Sequence, residues 1–278
     1  LPYLYPYFKY QSSPIYRFSK TTHDGDYLVA EESFLGSREE HEDIEDIEGL
    51  GDVNFAVRLQ NVSRIYKIGS REITALSNVS LDITPSEFIV VSGHSGSGKT
   101  TLLNLIGCID YATSGRVFVL DVPIEDYDES FRATFRLANT GFIFQSYNLI
   151  STLTALENIM FPMQLSDIDE VELNARAMKL LTRVGLEDRA DHLPWQLSSG
   201  EQQRVAIARA MANDPSIILA DEPTANLDAE NADMVRMLLR DLHSEGKTLI
   251  VMTHDDNIIS SPKAKSFTML KGVLNTNE

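Results

Sequence analysis

The sequence predicts an α/β fold carrying a small helical insert, and three observations lead there. Short apolar runs of strand length alternate with longer segments of helical period. A glycine-rich loop stands between one such run and a helix. Between residues 151 and 184 the alternation stops, and two helical segments follow each other with no strand between them.

Taken in order, FAVRLQNVSRIYK (55–67) and LSNVSLDI (76–83) alternate apolar and polar residues, as half-buried strands do. FIVVSG (88–93) is a short buried strand. KTTLLNLIGCI (99–109) reads as helix, and GRVFVL (115–120) and GFIFQ (141–145) read as strands. TALENIMFPM (154–163) and EVELNARAMKLLTRVG (170–185) have helical period. Ser198, Ser199 and Gly200 open a further helix of good helix formers over Glu201 to Ala212. SIILA (216–220) and TLIVMTH (248–254) are buried strands flanking a long helix from Asp228 to Glu245.

The chain has 278 residues, 43% of them hydrophobic, enough for a substantial core in one large domain or two small ones. A net charge of −17 argues against nucleic acid as a partner, because a phosphate backbone is repelled by it. Cys108 is the single cysteine, so no internal disulfide forms; a small core residue in a reducing compartment is expected. No apolar run approaches the roughly 20 residues that span a bilayer, and no signal-peptide pattern is visible. The first residue is Leu1 rather than Met, so the chain is expected to be part of a longer or processed product.

Residues 1–53 differ from the body at 54–278 and are expected to form a largely disordered extension. LPYLYPYFKYQSSPIYRFSK is crowded with aromatics and proline and has no helical or strand period. It suits either an aromatic segment at a membrane interface or an irregular tail docked on the body. Glu31 to Asp52 then holds ten acids against Arg38, a net of −9 and more than half of the excess charge. Like charges repel and stay solvated, which keeps such a block from folding. It lacks the glycine turn and alternation of a calcium loop.

The chemistry begins at VVSGHSGSGKTTLLNLIG. Gly93, His94, Ser95, Gly96, Ser97, Gly98, Lys99 and Thr100 spell G-x-x-x-x-G-K-T, with Thr101 next, after a buried strand and at the start of a helix. In that setting the loop N–H groups and the helix dipole hold phosphates, Lys99 reaches the β/γ-phosphates and the Thr100 hydroxyl binds Mg²⁺. In SIILADEPTANLD, Asp221 falls at the exit of an apolar strand, suited to Mg²⁺ through water. Glu222 follows it, and a carboxylate there can take a proton from an attacking water, worth ~10²–10⁴ in rate. The start of the Ser198–Gly200 helix is a second anion site a hundred residues away, with unpaired N–H groups facing outward.

With these residues in view, the body from about Phe55 to Val273 resembles the ATP-binding subunits of ABC transporters. LSSGEQQRVAIARA resembles that family's signature segment, and FIFQSYNL its glutamine loop at Gln145. ANLD, ending in Asp228, is similar to its D-loop, and VMTHD to its switch histidine, His254. Tyr66 in SRIYKIG matches the aromatic on which adenine stacks, a contact worth ~1–3 kcal/mol by analogy with base–aromatic stacking.

The resemblance implies a P-loop NTPase (RecA-like) core with an antiparallel β-subdomain and a helical subdomain at about residues 146–195. It implies ATP bound by Tyr66 and by Gly93 to Thr101, with Mg²⁺ at Thr100, Gln145 and Asp221. Glu222, His254, Gln145 and Lys99 are the implied catalytic set. Ser198, Gly200, Glu201 and Asp228 are implied to act in trans, on ATP bound to a second cassette. TLLNLIGCIDYATSGRV, GFIFQSYNLISTLTALENI and RVGLEDRADHLPWQLS resemble the branch of lipoprotein-release and macrolide-export ATPases. That branch implies a permease as separate subunit or fused membrane domain, a place on the cytoplasmic face of a membrane, and mechanical work driven by hydrolysis. The alternatives are a soluble ABC-type ATPase and a nucleotide-gated interaction module with weak hydrolysis. A single cassette and a short stretch between Gln145 and Ser198 favour the transporter, and Glu222 with His254 favours hydrolysis. Three departures stand out: His94 where Pro is usual, Ser86 where Gly is common, and Ser199 in place of the first signature Gly. A Cβ at Ser199 is expected to crowd the backbone turn, which bears on the turnover rate more than on binding.

Overall fold

The computed structural model describes residues 16–20, 28–32, 55–165 and 169–276. The chain divides into two units, Leu1–Val53 and Asn54–Glu278. In the first, β1 (Tyr16–Lys20) pairs antiparallel with β2 (Leu28–Glu32). The aromatic segment was expected to lack a strand period, yet YRFSK carries one short alternation, Tyr16 and Phe18 against Arg17 and Ser19. The acidic stretch from residue 33 to 52 lies outside the described residues, and so does most of the expected disorder.

The second unit opens with a long hairpin, β3 (Val57–Ile68) and β4 (Arg71–Ile83), followed by β5 (Phe88–Ser92) and α1 (Lys99–Ile106). Then come β6 (Ser114–Val119), β7 (Val122–Pro123), α2 (Glu129–Asn139) and β8 (Thr140–Ile143). Two helices follow without a strand, α3 (Ala155–Met163) and α4 (Glu170–Arg183). The chain closes through α5 (Ser199–Ala210), β9 (Ile217–Asp221), α6 (Ala229–Ser244), β10 (Thr248–Met252), α7 (Asp256–Ile259), β11 (Ala264–Leu270) and β12 (Val273–Thr276).

These strands form a six-stranded sheet, ordered β12-β11-β5-β10-β9-β8, and a four-stranded antiparallel sheet, β4-β3-β6-β7. Five strands of the larger sheet run parallel, and only β12 reverses. Its central strands β5, β9 and β10 are buried almost end to end, as parallel strands covered on both faces must be. On α1, Leu102, Leu103, Leu105 and Ile106 are all buried, each worth ~1.5–3 kcal/mol in area removed from water. One continuous core joins Val90, Ile143, Ile159, Leu181, Val205, Ile218, Val235 and Val251, so strands, insert helices and α5 share a single interior.

Ser86 occupies the left-handed region, at φ +64°, in the tight turn before β5. A side chain there costs on the order of 1 kcal/mol relative to Gly. The Ser86 hydroxyl donates to the Gly246 carbonyl at 2.8 Å and its N–H donates to Thr248 Oγ1 at 3.0 Å, which offsets the strain. Cys108 is fully buried, and burial pushes its thiol up to about 12 against the pull of Arg132 and Arg136, so it is the inert core residue the sequence suggested. Among the described residues no helix is long and apolar enough to cross a membrane.

Candidate nucleotide site

The parallel sheet brings the motifs together because β5, β9 and β10 lie side by side and end on the same edge. The glycine-rich loop follows β5, Asp221 ends β9, and His254 comes two residues after β10. A cleft of about 800 Å³ runs along that edge, within the range of small-molecule sites. Residues 95 to 101, Gln145, Asp221, Glu222 and His254 line it, together with Ile73 to Ala75 from the hairpin.

The loop needs glycine at two places for reasons of space. At Gly93 (φ +140°) a Cβ would overlap the Met269 carbonyl, and at Gly98 (φ +112°) the Ala75 carbonyl. Lys99 begins α1 and folds back over the loop, donating to the Gly93 and His94 carbonyls. Its ammonium lies 3.3 Å from His254 Nε2 and 3.9 Å from Glu222 Oε1. Thr100, next on the helix, donates its hydroxyl to Asp221 Oδ2 at 2.8 Å.

Glu222 takes the left-handed backbone, at φ +47°, where the chain leaves β9. Its N–H donates to the Met252 carbonyl at 2.8 Å, which fixes the bend. The carboxylate accepts from the His254 N–H at 3.2 Å and stands 3.5 Å from His254 Nε2. Behind it, Thr224 and Arg236 both donate to Asp255 Oδ2, at 2.9 and 2.5 Å. Burial works against the Asp255 charge, but those donors outweigh it and hold the carboxyl below its usual range.

Gln145 follows β8 in a loop tied down from two sides. Arg209 of α5 donates to the carbonyls of Tyr147 and Asn148, at 2.8 and 2.5 Å. The fully buried Asn158 amide donates to the carbonyls of Ile150, Leu153 and Thr154 and accepts from the Ile150 N–H.

The start of α5, where unpaired N–H groups were expected to form a second anion site, is a capping box, so two of those N–H groups are already bonded within the chain. The Ser198 hydroxyl accepts from the Glu201 N–H at 3.3 Å, and the Glu201 carboxylate accepts from the Ser198 N–H at 2.8 Å. Burial resists charge on Glu201, but the Ser198 donors and Arg189 outweigh it and keep the carboxyl low. Ser199 is exposed and is absent from the left-handed residues, so its Cβ does not crowd the turn as expected. Gly200 is the crowded position, since a Cβ there would overlap the Asn231 side chain. That asparagine was not anticipated. Its amide donates to both oxygens of Asp228, at 3.0 and 2.9 Å, and its carbonyl accepts from Arg204 at 2.7 Å. The Asn231 N–H also meets Asp228 at the start of α6, and these donors hold Asp228 below its usual range. Asp228 is thus tied through Asn231 to α5, the helix that Ser198, Gly200 and Glu201 open, and none of these four residues lines the cleft.

A family model described as ABC transporter matches residues 76–225. An uncharacterized ABC transporter ATP-binding protein of Methanocaldococcus jannaschii, MJ1508, is 46% identical over 202 residues, covering 73% of this chain and 90% of that one. A macrolide export ATP-binding/permease protein of Hyphomonas neptunium is 42% identical over 207 residues, covering 74% of this chain and 32% of its own length. Among solved structures, a dimeric post-hydrolysis state of the cassette MJ0796 bound to ADP and Pi superposes with a TM-score of 0.74. It is 42% identical and covers 80% of this chain and 97% of its own. MJ0796 also comes from M. jannaschii. With the family model matching more than half of the chain and a relative of 46% identity spanning 73% of it, the chain belongs to the family of ABC transporter ATP-binding proteins.

Proposed function

We propose that two copies of this cassette, or one copy and a similar partner, close head to tail on ATP and hydrolyse it. Lys99, Gln145, Glu222 and His254 serve the ATP of their own chain, bound along Gly93–Thr101. Ser198, Gly200, Glu201 and Asp228 serve the ATP of the other. One observation carries this reading: the similar cassette MJ0796 is a dimer in its post-hydrolysis state with ADP and Pi, and Ser198, Gly200, Glu201 and Asp228 lie outside the lining of this chain's own cleft. A helix tip built to meet an anion is then available to a phosphate from outside the chain.

Thr100, Gln145 and Asp221 all line the cleft and carry hydroxyl, amide and carboxylate oxygens, a donor set of the hard kind that suits Mg²⁺. The ion, when bound, neutralises charge on the β- and γ-phosphate oxygens. Lys99 adds a second positive charge, Glu222 takes the proton of the attacking water, and His254 holds the imidazole against Glu222 and the γ-phosphate. Hydrolysis removes the group that both chains hold, so the pair opens. A permease follows that stroke, as a separate subunit or a fused membrane domain, and places the cassette on the cytoplasmic face of a membrane. The macrolide export ATP-binding/permease relative, in which the cassette is part of a longer chain, supports this.

Mixing two inactive variants tests the arrangement. Lys99→Ala and Ser198→Arg each disable a homodimer, but in the mixed dimer one site pairs an intact Lys99 with an intact Ser198. ATP-dependent dimerisation should recover in part on mixing, measured by light scattering with cross-linking as a control for mixed pairs. No recovery in confirmed mixed dimers means that the signature helix acts within its own chain.

Residues 54–278 make up the cassette in this reading, with the helical subdomain at about 146–195. Residues 1–53 are an extension outside the nucleotide chemistry. A chain beginning at Asp52 is expected to bind ATP with the affinity of the full chain by calorimetry; a large loss would place part of the extension on the site.

A further inference from the structure

Tyr66 stands across the hairpin from Ile73, its partner in the β3–β4 register, and Ile73 lines the nucleotide cleft. The Tyr66 ring is anchored. Its O–H donates to Asp110 Oδ2 at 2.6 Å. Arg64 donates to both oxygens of the same carboxylate, at 3.0 and 2.6 Å. The Arg64 guanidinium also covers the ring, 4.5 Å from its centre. The Arg64 and Asp110 side chains are only 22% and 18% exposed. Asp110 is itself held: its carboxylate accepts from the Tyr111 N–H at 2.8 Å, and its carbonyl accepts from the buried Arg132 at 2.5 Å.

We propose that Asp110 and Arg64 are positioning residues that fix Tyr66 as a rigid platform for the adenine base. The inference rests on the reading of Tyr66 as the stacking aromatic and goes beyond it by naming what holds the ring. A tyrosine hinged only at its Cβ must be ordered when the base arrives, and that ordering subtracts from affinity. A charge-assisted bond at the phenol oxygen orders it beforehand. The guanidinium occupies one face of the ring and leaves the other to the base. Asp110 lies just beyond the end of α1, the helix that starts with Lys99, so base and phosphate contacts are referred to one short rod. Eight residues of helix make that rod about 12 Å long.

The test uses the full chain with Mg²⁺ and calorimetry, comparing ATP with inorganic tripolyphosphate, which has phosphates and no base. Tyr66→Phe removes only the anchoring hydroxyl and should weaken ATP about 3- to 10-fold, the size of one hydrogen bond. Asp110→Ala should weaken ATP by a similar factor, and the double variant by no more than either alone. Tripolyphosphate affinity should stay at the parent value in all of them. Tyr66→Ala should cost roughly 5- to 150-fold for ATP if the ring stacks on adenine. Unchanged ATP affinity in Tyr66→Ala removes the stacking reading itself. A weakened Tyr66→Ala beside a Tyr66→Phe that binds like the parent keeps the stack and overturns the anchoring. An Asp110→Ala that loses tripolyphosphate as much as ATP also overturns it, because the turn then supports the phosphate loop. If Asp110→Ala does not fold, Tyr66→Phe decides alone.

Discussion

A chain carrying Glu222→Gln is expected to bind ATP like the parent and to turn it over ~10²–10⁴ times more slowly, the usual worth of a general base. The substitution keeps the shape of the side chain and an oxygen to accept from the His254 N–H. It removes only the basicity. With hydrolysis stopped and binding retained, ATP should accumulate between two cassettes, and the population of dimers on size exclusion should rise with ATP concentration. Parent-like turnover in this variant would assign the base elsewhere. His254→Ala is expected to shift turnover in the same direction, because its imidazole stands 3.5 Å from the Glu222 carboxylate.

Lys99→Ala acts one step earlier. Two charge-assisted hydrogen bonds to phosphate are worth roughly 3–6 kcal/mol together, so ATP affinity should fall by about 10² or more. Lys99 is nearly buried, 8% exposed at its side chain, and its ammonium lies 3.9 Å from Glu222. Without it the Glu222 carboxylate also loses the ammonium beside it, which adds repulsion toward the incoming phosphates to the loss. Tight ATP binding by the variant in calorimetry would rule out the phosphate role of this loop.

Much of the site was legible because each motif is local. The phosphate loop, the Asp221–Glu222 pair and the signature helix each occupy a short window with its own strand or helix attached. What escaped reading depends on partners far apart in the chain. Asp110 and Asn231 look like ordinary loop and cap residues in sequence, yet their bonds reach 46 residues to Arg64 and 27 residues to Arg204. Ser86 stands out in sequence as a departure from Gly, but what offsets its strain is invisible until its hydroxyl is seen on Gly246, 160 residues away. The helix α2 was missed for a different reason. It buries Arg132 beside Phe135, and an arginine over the Tyr111 ring at 3.6 Å does not register as part of an apolar stripe. The strand β11 was missed because AKSFTML is mostly half-exposed and interleaves Lys265 and Ser266 among its apolar residues.

The order of strands in the large sheet has a consequence for synthesis. The strand that carries the phosphate loop, β5, has β10 and β11 as its two neighbours, and both come from residues 248 to 270. The turn after β11 also closes the loop from behind, through the Gly272 N–H to the Ser97 carbonyl at 2.8 Å. A nascent chain that has emitted Lys99 therefore still lacks both walls of its cradle, and has to translate some 170 further residues before they exist. Pairing so distant in sequence closes slowly, and β5 leaves the ribosome with two unsatisfied edges. A ligand held by the completed loop adds its binding free energy to the docking of these last strands, because it binds the folded chain and not the unfolded one.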